Sequence, residues 1–257
     1  CFLGSVVMPM KDPAKTETVL KNIQPGRKIL SVDSGLEKKG IETIGNGISF
    51  SIGLDKTGKL YTWGSDPSGV LDIPSNVENK KIEKLAVGDK HAMVLTKNGE
   101  LFAWGFNNFN QATIPSDIRS LASYEGIEDI YAGEGYSGII TKEKNLYLWG
   151  NVKASKLDIL PSNVNGHVKK VNGSSFNMVI LLDDGTVAVA GTTGNEISAV
   201  PEELTNGSVN VVDVKMTFRT GIALDDQGKI HVWGSTDKGM MNVPEINEKV
   251  VQVSTNR

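Results

Sequence analysis

The chain has 257 residues, 39% of them hydrophobic and 22% charged, with 28 glycines and a formal net charge of −3. That balance supports a sizeable core, excludes a disordered or collagen-like chain, and gives no whole-molecule positive field for nucleic acid. A single Cys excludes a disulfide framework and any multi-Cys metal site within the chain, and no apolar run approaches the ~18 residues needed to span a bilayer.

Residues 1–40 form an atypical lead segment. The chain starts at Cys1 with no Met, which fits a lipid-bearing mature terminus, removal of an initiator Met, or a fragment of something longer. Residues 14–22 are the one short helical candidate. Ile29, Val32 and Gly35 mimic the repeat described next, but they stand too far upstream of it.

From residue 41 onward the sequence is periodic. Trp63-Gly64, Trp104-Gly105, Trp149-Gly150 and Trp233-Gly234 recur, with Ala190-Gly191 filling the gap, at steps of 41, 45, 41 and 43 residues. Five residues before each pair lies a turn glycine, Gly58, Gly99, Gly185 and Gly228; in the third copy Lys144-Asn145 takes the turn, with Asn as the expected left-handed residue. Prolines follow each pair: Pro74, Pro115, Pro161, Pro201 and Pro244. Upstream, apolar residues three apart open each copy: Ile41/Ile44, Ile82/Leu85, Ile127/Ile130, Val168/Val171 and Val211/Val214. Gly47, Gly88 and Gly133 follow them; the fourth copy has Gly173 one place early and the fifth has Thr217.

Each copy reads as an inner strand, a hairpin whose turn needs glycine, and a short edge element ending at proline. No helix of ten or more residues is predicted. Sheets this small bury both faces only by stacking around an axis, and units of 40–45 residues suit propeller blades. The expectation is one all-β domain, a β-propeller of about six blades with seven possible. Its repeats are 41–81, 82–126, 127–167, 168–210 and 211–249, with a partial one at 250–257. The trailing Val250, Val251 and Val253 and the leading run from Phe2 to Pro9 would share a composite blade that closes the ring.

The pattern resembles the regulator of chromosome condensation repeat, best seen at 86–115 through Gly88, His91, Leu95, Gly99, Leu101, Trp104, Gly105, Asn107 and Gln111. Tryptophan–aspartate repeats fit worse, because no Trp is followed by Asp. The resemblance covers residues 41–257 and implies a propeller. In the founding member it also implies guanine nucleotide exchange on a small GTPase and docking on nucleosomes. The family's His is kept only at His91; Phe50, Tyr136, Asn177 and Thr220 stand in the other copies, and no exchange-loop residue is carried over. The Val243-Pro244 and Ile114-Pro115 endings look like microbial, bacterial or phage-borne, versions.

No catalytic, cofactor-binding or metal-binding constellation emerges. Gly133-Glu134-Gly135-Tyr136-Ser137-Gly138 spells a dinucleotide fingerprint but falls between two strands rather than before a helix. His91, His167 and His231 are scattered, and Asp183-Asp184 and Asp225-Asp226 fall in hairpin turns, where Asp bonds its local backbone. The Asn172 and Asn206 sequons read as Asn-Gly turns. Lys38-Lys39, Lys80-Lys81, Lys84 and Lys169-Lys170 read as a solvated surface, with a weakly basic rim as the alternative.

Phe106-Asn107-Asn108-Phe109 is the only post-Trp loop with two aromatics. Phe106, Asn108 and Phe109 are therefore the candidate binding residues, with Phe109 as a plug between blades the alternative. The repeat predicts a non-enzymatic microbial scaffold that binds protein or glycan through its loop faces, with no cofactor, no nucleic acid and no membrane span. It would suit a virion, surface or secreted assembly. A GTPase exchange factor and an enzyme with a central-channel site are the alternatives.

Overall fold

The computed structural model describes residues 40–65 and 68–235. Each repeat folds as one three-stranded antiparallel sheet. The five blades are β1 (Ile41–Asn46), β2 (Phe50–Asp55) and β3 (Leu60–Gly64); β4 (Ile82–Val87), β5 (His91–Thr96) and β6 (Leu101–Gly105); β7 (Ile127–Ala132), β8 (Tyr136–Thr141) and β9 (Leu146–Gly150); β10 (Val168–Gly173), β11 (Asn177–Leu182) and β12 (Val187–Gly191); and β13 (Val211–Met216), β14 (Thr220–Asp225) and β15 (Ile230–Gly234). The composite blade, the lead segment, Pro244 and residues 250–257 lie outside the described residues, and so does the choice between six and seven blades.

The three-residue apolar spacing has a geometric cause. Every inner strand carries a bulge at the same place, between Ile41 and Thr43, Ile82 and Lys84, Ile127 and Asp129, Val168 and Lys170, and Val211 and Asp213. One extra residue turns a spacing of two into a spacing of three, so Ile82 and Leu85 reach the same face. All six residues of β5, β8 and β11 are buried, as expected for a middle strand with a neighbouring blade on each side.

Among the described residues the core gathers in four seams between blades, with Leu224 packed apart from them against Ile222 and Ile230. Ile52, Leu54 and Trp104 meet between blades one and two, and Met93, Leu101 and Trp149 between two and three. Tyr136, Ile140 and Ala190 meet between three and four, and Val179, Leu181 and Trp233 between four and five. Three indoles also tie each blade to the loop leaving the previous one. Trp104 Nε1–H donates to Val70 O (2.7 Å), Trp149 to Gln111 O (3.0 Å) and Trp233 to Ile197 O (3.0 Å). Where Ala190 replaces Trp, the preceding loop is one residue longer and fully buried Leu157 occupies the seam.

Three expectations are corrected. Among the described residues no fourth strand precedes Pro74, Pro115, Pro161 or Pro201. Pro74, Pro115 and Pro201 are instead N-caps of helical turns: α1 (Ser75–Glu78), α2 (Ser116–Glu125) and a 3-10 turn at Glu202–Leu204. The residue three beyond each proline (Val77, Ile118, Val164 and Leu204) is buried in a seam, held there by a turn that the fixed φ of proline starts well. Second, α2 has ten residues; its apolar positions Ile118, Leu121 and Ala122 are too few to mark a helix by periodicity. Third, the positive φ in the third hairpin is at Lys144 (61°), not Asn145. The Lys144 N–H donates to Thr141 O (2.8 Å), and its carbonyl accepts from Gly166 and Val168 N–H.

The lysines act between chain segments. Lys80 pairs with Glu100 (3.0 Å), while Lys84 reaches Asp129 (3.8 Å) and Lys170 reaches Asp213 (2.6 Å) on the inner strand of the next blade. Positions two beyond the start of the inner strands thus alternate in sign from the second blade to the fifth: Lys84, Asp129, Lys170, Asp213.

Candidate functional site

The turns from inner to middle strand all lie at one end of the five sheets and share one geometry. The N–H of Gly47, Gly88, Gly133, Ser174 and Thr217 donates to the carbonyl three residues on (2.8–2.9 Å), closing two-residue turns at 48–49, 89–90, 134–135, 175–176 and 218–219. The fourth copy is therefore in register through Ser174, not Gly173. The second turn residue then accepts from the residue after each Trp-Gly or Ala-Gly pair: Ser49 O from Ser65 N–H, Lys90 O from Phe106, Gly135 O from Asn151, Phe176 O from Thr192 and Arg219 O from Ser235. The glycine of each pair has φ between 97° and 109°, and a Cβ there would meet that same turn carbonyl. The turn backbones are thus committed to one another, and their side chains are what they present.

Ile48 is 67% exposed, Phe176 45% and Phe218 52%, and Phe109 from the β6 exit loop adds 47% at the same end. Phe176 and Phe218 meet edge to face at 5.4 Å, and the Arg219 guanidinium lies 5.2 Å from the Phe218 ring centre. A cleft of about 570 Å³ opens between blades four and five beside Phe176, Asn195, Glu196, Phe218 and Arg219. A smaller one, about 370 Å³, lies between blades two and three beside Lys90, Phe106, Phe109 and Glu134.

The second cleft contains the sequence candidates. Phe106 is partly buried under Lys90 (5.3 Å) and packs edge-on against Phe109, which borders Gly135 of the next blade; Asn108 is exposed. Phe109 therefore combines both expected roles, half seated between blades and half facing solvent. Asn107 accepts from Ala112 N–H (2.8 Å) and donates to Thr113, and Gln111 accepts from Phe109 N–H (3.0 Å), so the family-like Asn and Gln shape the loop. Ile48, Phe176, Phe218 and Arg219 escaped sequence reasoning. The available signal was a large apolar residue in a two-residue turn, where no repeat position calls for one.

Other chemistry closes on itself. His91 Nε2 lies 2.7 Å from Ser137 Oγ, an arrangement that resembles a nucleophile and its base. Ser137 Oγ–H donates to Gln111 O (2.8 Å), so His91 Nε2–H is the donor to Ser137, and both side chains are fully buried. The group ties blades two and three together. The fingerprint-like glycines span the β7–β8 turn with no helix after them.

At the opposite end the hairpin turns are internally satisfied. Asp55 accepts from the N–H of Lys59 and Thr57, the Thr57 hydroxyl and Tyr61 O–H; the Lys59 N–H leads in pulling its carboxyl down to about 2. Asp225 is pushed up by burial, but His231 (2.9 Å) and the N–H groups of Lys229 and Gln227 outweigh that and hold it below the usual carboxylate range. Glu125 is lowered by the Thr141 hydroxyl and by Tyr147 and Asn145. Asp183 pairs with Lys144 (2.9 Å) and His167 (3.3 Å), while Asp184 accepts from Thr186. Asn172 accepts from Met216 N–H across a seam, and Asn206 accepts from Ser208 N–H in an exposed turn.

Residues 82–111 match the regulator of chromosome condensation (RCC1) repeat. No curated protein sequence is significantly similar to the chain. Among solved structures, Prp20p from Saccharomyces cerevisiae is similar with a TM-score of 0.63 at 17% identity, over 86% of this chain and 64% of that one. The chain thus spans just under two thirds of that protein's length. Human WBSCR16 gives 0.61 at 14% identity over 84% and 67%, and the ectodomain of the Arabidopsis thaliana receptor kinase ACR4 gives 0.58 at 16% over 78% and 71%. At such identities these likenesses establish the fold, a β-propeller. No helix among the described residues is long and apolar enough to cross a membrane. The family match covers one repeat, that of the second blade, and the other four blades share its spacing, bulge and turn, so the chain is a β-propeller that carries an RCC1-like repeat.

Proposed function

We propose that this propeller is a protein-binding scaffold that engages its partner through the inner-to-middle turn face. The observation that carries this reading is the concentration of Ile48, Phe109, Phe176 and Phe218, four of the eight exposed large hydrophobics among the described residues, at one end. Apolar groups clustered this way mark interaction surfaces, and aromatics with an arginine are typical anchors of such surfaces. Similar propellers bind proteins: Prp20p binds Gsp1p and histones. A non-catalytic role is supported by the buried His91–Ser137 pair, whose hydroxyl proton is already committed to Gln111.

Photo-cross-linking in the native source tests the reading. A photoreactive side chain at 109, 176 or 218 is expected to give a discrete protein adduct, whereas one at Lys97 or Tyr124, at the hairpin end, gives none. Equal adducts from both ends would overturn it. Nucleotide-release assays on small GTPases test the exchange activity that the family resemblance implies.

A further inference from the structure

Building on the turn face as the binding surface, we propose that the cleft between blades four and five takes a peptide segment in which a large apolar side chain stands next to a carboxylate. Phe176 and Phe218 stand at 76° to one another, and their half-exposed faces form a wedge open to one apolar side chain. Arg219 lies over Phe218 and pairs with no carboxylate among the described residues. A guanidinium stacked on a ring still has N–H edges to offer a carboxylate in bidentate fashion.

Glu196 is the one acidic residue lining the cleft among the described residues, and it limits the ligand to a single carboxylate, taken by Arg219. Asn177 Nδ2 donates to Ala190 O and Thr192 O, which fixes its amide. Its Oδ1 accepts from Asn195 Nδ2 (2.8 Å), which in turn fixes the Asn195 amide in the cleft wall. The cleft between blades two and three does not share this character: Lys90 faces Asp89 and Glu134 there, and Glu134 is already held by the N–H and hydroxyl of Ser175.

The test is an NMR titration of the full chain with capped hexapeptides of sequence Gly-Gly-Phe-Glu-Gly-Gly and relatives with Gln for Glu or Ala for Phe. Shifts are expected at residues 176, 195, 218 and 219. Either peptide change should weaken binding about tenfold. Arg219→Gln should abolish the preference for Glu over Gln while leaving the preference for Phe over Ala; Phe218→Ser should do the reverse. Unchanged thermal midpoints show that both variants fold. Equal binding of the Glu and Gln peptides, shifts elsewhere, no shifts at millimolar peptide, or displacement by a neutral oligosaccharide would overturn the proposal. Cross-links from the turn face without peptide binding would overturn the ligand class alone; loss of both would remove the turn face as well.

Discussion

The two ends of the blades solve opposite problems with the same backbone. At the hairpin end, side chains complete one another: Asp55 with Tyr61, Glu125 with Tyr147, Asp225 with His231, Asp183 with Lys144. Where the third-strand residue is apolar, as in Phe102 and Ala188, the carboxylate position holds Thr96 or Leu182 instead. At the turn end the backbone groups are consumed by the turn and by the Trp-Gly crossing, and the side chains face outward, three large apolar groups among them. One end closes on itself and the other presents its side chains to solvent. Substitutions should therefore separate stability from binding according to which end they strike.

The largest expected effect falls on the seams that carry both ends. Trp149→Ala removes a buried indole and its bond to Gln111 O and should cost about 3–5 kcal/mol in denaturant unfolding, with both ends failing together. Asp225→Ala leaves His231 and two turn N–H groups without their acceptor, and should cost about 1–3 kcal/mol while turn-face binding persists in the folded fraction.

Ala190→Trp should also destabilise, by about 1–3 kcal/mol, because Leu157 already fills the space, and Leu157→Ala on the same chain should offset part of that loss in a double-mutant cycle. Acid should act on the hairpin end selectively. Asp55 and Asp225 have lowered values, so their support is complete above the unfolded pKa near ~3.9 and is lost as pH falls through the folded one, about 2 for Asp55. Amide exchange should show Lys59 and Lys229 N–H losing protection between those limits. The Glu100 N–H, held by the neutral Thr96 hydroxyl, should not. The smallest effect belongs to the turn face: Phe218→Ser should change stability by less than about 1 kcal/mol.

The repeat was legible because each of its fixed residues answers a backbone demand. The apolar pairs three apart record the bulge, the glycine after Trp records a positive φ, and the hairpin glycine records the turn. The helix α2, the buried residue three beyond each proline and the Leu157-for-Trp exchange were not read. They reside in loops of unequal length, where register slips by one and periodicity fades. The turn face was least legible. Its residues occupy positions the fold leaves unconstrained, so Ser49, Lys90, Gly135, Phe176 and Arg219, equivalent in the five turns, share no chemistry, and Phe176 meets Phe218 across a seam 42 residues apart in sequence.

The division between the ends is tested most directly by denaturant unfolding of two multiple variants measured side by side. Phe109→Ser, Phe176→Ser and Phe218→Ser together should leave the midpoint near that of the parent, whereas Asp55→Asn with Asp225→Asn should lower it clearly at neutral pH. A triple variant less stable than the double would mean that the exposed rings hold the propeller together, and the turn face would then be part of the core rather than a surface for a partner.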